Sequence, residues 1–88
     1  MKLRVHDSAL KHGCSREDIS HAVDMALYVG EIDPDNDPPK RLYIGPDPAA
    51  NLLEVIGGGL ADEILLIWHA KRCRTQYLEL LPPTGGDK

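Results

Sequence analysis

Phenylalanine is absent from this chain, and Trp68 is its only tryptophan. A core built here must rest on Leu, Ile and Val. Cysteine is scarce: Cys14 and Cys73 stand far apart and fit no metal-binding or redox spacing. A small secreted domain would usually carry more. Both are expected as reduced thiols in a cytoplasmic protein. No apolar run is long enough to cross a bilayer, and the opening MKLRVHDSALKH lacks the apolar region of a signal peptide. These gaps exclude disulfide scaffolds and membrane spans. Eighty-eight residues make one domain, expected over 1–83 with a frayed tail at 84–88.

Charge is present but unevenly spread. The net charge is −4, yet residues 69–77 hold three cations and no acid. Residues 13–37 hold seven acids and one Arg. Residues 1–12 hold three cations and one Asp. If the two ends of the chain meet, they form a basic patch on an acidic protein, able to attract phosphate.

The strongest element signal is Ile64-Leu65-Leu66-Ile67-Trp68, an unbroken apolar run after glycines, which predicts a strand buried on both faces. His69 ends the run. Lys71, Arg72 and Arg74 follow on a predicted helix from Lys71 to Leu81, stopped by Pro82-Pro83. A buried strand would thus deliver a histidine and several cations to one end of a small sheet. Upstream, Lys2–Val5 reads as a short strand and Asp7-Ser8 as the cap of a brief turn closed by Gly13. Ser15-Arg16-Glu17-Asp18 resembles a capping box. It opens a helix whose stripe of Ile19, Ala22, Val23, Ala26 and Leu27 should face the core up to Tyr28 or Val29. Residues 34–39 form a Pro- and Asp-rich loop. Its Asp35-Asn36-Asp37 imitates the start of a calcium loop but lacks the glycine and terminal Glu. KRLYIG at 40–45 and Asn51–Ile56 read as strands, and Gly57–Gly59 as a flexible connection. The expected fold is α+β: N-terminal helix or helices, a three- to four-stranded antiparallel sheet, then a C-terminal helix.

Three stretches, HDSALKHGCSREDISHAV, RLYIGPDPAANLLEVI and IWHAKRCRTQYLELL, resemble BrnT-like toxins of bacterial type II toxin–antitoxin pairs, small relatives of the RelE ribonuclease superfamily. They cover most of residues 6–80. The resemblance lies in order and spacing: Lys11-His12-Gly13 before a capped helix, a strand ending in Ile-Gly, and a last strand running into a cationic helix. It implies a compact sheet packed with helices and cleavage of mRNA on or near the ribosome, inhibiting translation. It also implies neutralisation by a cognate antitoxin, with which the chain would form an oligomer. It places Lys11 and His12 beside the site and gives Arg41 a basic contact to RNA.

Metal-free RNA cleavage needs a 2′-hydroxyl deprotonated, phosphate oxygens stabilised and a leaving oxygen protonated. Histidine suits the proton transfers, and Arg and Lys suit the phosphate. The expected catalytic residues are His69, His12 and Arg72. Lys11, Arg41, Lys71 and Arg74 would hold RNA phosphate, and Tyr77 would stack on a base. No metal, cofactor or membrane enters this reading; His6, His12 and His21 are spaced too irregularly for zinc. Each residue also has a structural role open to it: His69 and His12 as hydrogen-bonded turn or core residues, Tyr77 as core. Two other functions stay open, a noncatalytic interaction module of the same fold and a toxin acting on another nucleotide-containing target.

Overall fold

The computed structural model describes residues 2–33, 35, 39–61 and 63–81. It is a small α+β domain with one five-stranded mixed sheet and one main helix. The strands are β1 (Lys2–Val5), β2 (Tyr28–Asp33), β3 (Lys40–Pro46), β4 (Leu52–Ala61) and β5 (Ile64–Arg72). Their order across the sheet is β1-β5-β4-β3-β2. β2 to β5 form an antiparallel meander, and β1 lies parallel to β5 at the far edge. A 3-10 turn (Asp7–Leu10) and helix α1 (Arg16–Asp24) link β1 to β2, carrying the chain from one edge of the sheet to the other. A single turn, α2 (Thr75–Leu78), follows β5.

This corrects the expected order. The sheet is five-stranded and mixed because Lys2–Val5 enters it beside β5, a parallel partner that local strand-to-strand connections do not reveal. The glycines at 57–59 are not a flexible link. They continue β4, with Gly57, Gly58 and Gly59 opposite Ile67, Leu66 and Leu65. The helix expected from Lys71 is absent there, since Lys71 and Arg72 still pair with Glu54 and Leu53. A long β4 offers partners that outweigh local helix propensity. The first helix is also shorter than its apolar stripe, ending at Asp24, and Tyr28 already pairs with Ile44. Of the expected loop at 34–39, residues 34 and 36–38 lie outside the described residues, as does the chain from 82 onward, the expected tail included.

Local chemistry explains the helix that does form. Ser15 Oγ accepts the Asp18 N–H at 3.0 Å, and Asp18 Oδ2 accepts the Ser15 N–H at 3.0 Å, a reciprocal box. Gly13, at φ 90°, makes the left-handed bend before it. The helix buries Ile19, Ala22 and Val23 against Tyr43, Leu53, Val55, Leu65, Ile67 and Ala70. Gly45 permits this close approach: a Cβ there would run into the Ala22 carbonyl oxygen. The His21 ring ties the same helix to β3, its Nδ1 donating to the Pro46 carbonyl at 2.7 Å.

One irregularity decides which side chains face which way. Between Ile56 and Gly57 the partners on β5 jump from His69 to Ile67, leaving Trp68 as a bulge. A bulge shifts the alternation of side chains by one residue. Leu65, Ile67 and Ala70 therefore share the helix-covered face, whereas His69 and Lys71 turn to the other. An unbroken strand would have driven His69 into the core alongside Ile67. The Trp68 carbonyl accepts a hydrogen bond from Ser8 Oγ at 2.6 Å, which pins the 3-10 turn against the bulge.

Candidate functional site

β1 ends beside Ile67, so the second half of β5 has β4 on one side only. The 3-10 turn takes the vacant place, joined through the His6 N–H to the Ile67 carbonyl at 2.8 Å and through Ser8 to Trp68. The chain leaving that turn brings His12, which directly follows Lys11, next to His69. The two imidazoles meet edge to face, with ring centroids 5.7 Å apart. Lys71 joins them from β5, two residues beyond His69 on the same face. Packing against neighbours, then the charges of Lys71, His69 and Lys11, hold the His12 pKa below its ordinary 6.5, with Glu54 pulling weakly the other way.

Beneath this group lies Glu54. It sits mid-strand in β4, opposite Lys71, and is fully buried. Burial alone would raise the pKa of its carboxyl, but hydrogen bonds from Arg74 and His69 outweigh that and hold it below 4.5. Arg74 supplies three donors: its backbone N–H to Oε1 at 2.9 Å, Nε at 3.0 Å from Oε1 and 3.1 Å from Oε2, and Nη2 to Oε2 at 2.8 Å. His69 Nε2 donates to Oε2 at 2.9 Å. The Arg74 guanidinium in turn lies 5.3 Å from the centroid of the Tyr77 ring.

The structure thus gathers Lys11, His12, His69, Lys71, Arg74 and Tyr77 at one end of one sheet face. It does not bring Arg72 or Arg41 there. Arg72 pairs opposite Leu53 on the helix-covered side, where its charge acts on Cys14 and Asp47. Strand alternation causes this, since neighbours 71 and 72 face opposite ways where a helix would have merged them, and the bulge sets Arg72 on the helix-covered side. Arg41 pairs with Gly57 and Glu31 on the helix side, on the face opposite His69 and with β4 between them. Arg74 is present, but much of its fork is spent on Glu54. Glu54 itself was missed. Its signal was a lone acid inside Leu52-Leu53-Glu54-Val55-Ile56, and a carboxylate in such a run must find donors or charge partners.

Among the described residues, no three His, Cys, Asp or Glu side chains are grouped to hold a metal ion. No described helix is long and apolar enough to cross a membrane. A scan of family models, a search of curated proteins and a search of solved structures each returned no match.

Proposed function

We propose that this chain is the toxin of a bacterial toxin–antitoxin pair, a metal-independent endoribonuclease that cleaves mRNA in the cytoplasm, on or near the ribosome. The observation that supports the reading is the His12–His69 contact flanked by Lys11 and Lys71. Two imidazoles within one substrate's reach can take and give a proton in the same turnover. Neighbouring ammonium groups can stabilise the charge that builds on phosphate. The proposed set is narrower than the sequence suggested: His12 and His69 for proton transfer, Lys11 and Lys71 for phosphate. A cognate antitoxin would neutralise the toxin by covering this cationic end.

The test is induced expression of the chain alone in a bacterial host, beside His12→Ala and His69→Ala, with growth and total RNA as readouts. Growth arrest with RNA cleavage is expected, and either substitution should cut cleavage by ~10²–10⁴-fold. Normal growth with folded protein and intact RNA would sink the reading. Growth arrest with intact RNA would point to a different nucleotide-containing target.

A second reading has its own support. β2 is an edge strand, and Met25 and Leu27 just before it and Val29 within it are more than half exposed, at 56%, 57% and 52%. An open strand edge with apolar neighbours suits a protein-interaction module without catalysis. That reading expects His69→Ala to leave every phenotype unchanged.

A further inference from the structure

Glu54 is the one fully buried charged residue among those described, and RNA cannot touch it. Its consequence must pass through His69. With Oε2 accepting from Nε2, the proton on that nitrogen is fixed and so is the ring plane, leaving Nδ1 for chemistry. Arg74 clamps the same carboxylate with its backbone N–H and its guanidinium, so the acceptor cannot swing away. The two histidines therefore have different surroundings. His69 has a carboxylate counter-charge for its imidazolium, backed by Arg74, with Lys71 opposite Glu54 on β5. His12 has no such hydrogen-bonded carboxylate among the described contacts; it meets the His69 ring, and the charges acting on it are chiefly those of Lys71, His69 and Lys11, with Glu54 a weaker opposing influence.

We propose that the two imidazoles divide the proton transfers, His12 accepting the 2′-hydroxyl proton and His69, positioned by Glu54, delivering one to the 5′-oxygen. This division rests on the RNA-cleavage reading above. The 2′-O–H bond breaks as its proton passes to the free nitrogen of neutral His12. The oxygen's electron pair forms the new bond to phosphorus. The P–O5′ bond breaks, and its electron pair takes the proton from Nδ1 of the His69 imidazolium. A 2′,3′-cyclic phosphate and a 5′-hydroxyl result, with no net change in protons. Glu54 is a positioning residue in this scheme, since it touches His69 and not the reacting atoms.

The test uses a short oligonucleotide with one ribose, made with either oxygen or sulfur at the bridging 5′ position. A thiolate leaves without a proton, so the sulfur substrate makes a general acid dispensable. His69→Ala should lose ~10²–10⁴-fold on the oxygen substrate but less than ~10-fold on the sulfur one. His12→Ala should lose heavily on both. Equal losses for His69→Ala on the two substrates, or sulfur rescue of His12→Ala instead, would overturn the division. Glu54→Gln should lower kcat on the oxygen substrate more than on the sulfur one, with KM little changed. A merely structural carboxylate would lower both substrates alike.

Glu54→Gln could fail to fold, so the pairing is also read in the parent protein by ¹⁵N NMR of its imidazoles. Nε2 of His69 should stay protonated and hydrogen-bonded from about pH 5 to 8, the range in which histidine titrates. An unprotonated Nε2 at the upper end would overturn the positioning role. Absence of any cleavage by the parent would instead remove the ribonuclease reading and the division of transfers with it, while the NMR result would still judge the Glu54–His69 pair.

Discussion

The two faces of the sheet bury side chains of similar size by different means. Under α1, Ile19, Ala22 and Val23 fill the space above Tyr43, Val55, Ile67 and Ala70. On the opposite face Leu42 and Ile44 are equally buried, but Glu54 lies beside them and depends on directional bonds to Arg74 and His69. The first face needs complementary volume, and its stability is indifferent to pH. The second needs donors at fixed positions, and it answers to protonation. A functional site that moves protons belongs on the second kind of face, since the first supplies the rigid platform that holds its geometry.

Ile67→Ala should show the largest effect. Ile67 is fully buried between β1 and β4, and cavity formation at such a site costs about 2–5 kcal/mol. Urea denaturation would measure it, and a loss below about 1 kcal/mol would mean that the helix-covered face can collapse into the gap. Arg74→Ala attacks the other face. It leaves the buried Glu54 carboxylate with only the backbone N–H of residue 74 and His69 as donors, a smaller loss than that of Ile67→Ala. The pH dependence separates the two variants. In the parent, Glu54 is held below its ordinary 4.5, so its contribution is complete above that value and lost as pH falls through the folded pKa. The gap between parent and Arg74→Ala should therefore narrow below pH 4.5, whereas the gap for Ile67→Ala should stay constant.

The asymmetry between the faces was only half legible in the sequence. The helix stripe Ile19, Ala22, Val23 and the Ser15 cap could be read because both are local patterns with a fixed period. The nearness of Lys11 and His12 to His69 came from a family resemblance, not from any local pattern. The bulge at Trp68 could not be read at all. It arises from pairing with Gly57, eleven positions upstream, and it alone decides that His69 and Lys71 leave the core while Arg72 goes to the other side. The parallel pairing of β1 is equally nonlocal. Lys71 and Arg72, expected to open a helix running to Leu81, stay in β5 because β4 is long enough to pair with them.

Two smaller changes would sharpen the picture of the helix-covered face. Gly45→Ala sets a methyl group against the Ala22 carbonyl, so the helix must lift from β3 at a cost of about 1–3 kcal/mol. A neutral result would show that α1 can slide, and with it the His21–Pro46 link. Ser15→Ala removes one arm of the capping box and should cost about 1 kcal/mol, read as a lower thermal midpoint. Neither change should alter the proposed RNA cleavage, since both lie on the face away from His69.

The smallest effect belongs to His12, and it tests the charged face most directly. Its folded pKa lies below 6.5, set by packing and then by Lys71, His69 and Lys11. The unfolded chain therefore binds its proton first as pH falls. The contribution of His12 is complete above pH 6.5 and is lost as pH drops through the folded value, so this residue makes stability rise with pH across that window. His12→Ala should flatten the slope of the urea midpoint between about pH 5 and 7 while leaving the midpoint at pH 8 nearly unchanged. An unaltered slope would mean that the three cations do not act on His12 in solution, and the contrast between the two imidazoles would lose its electrostatic basis.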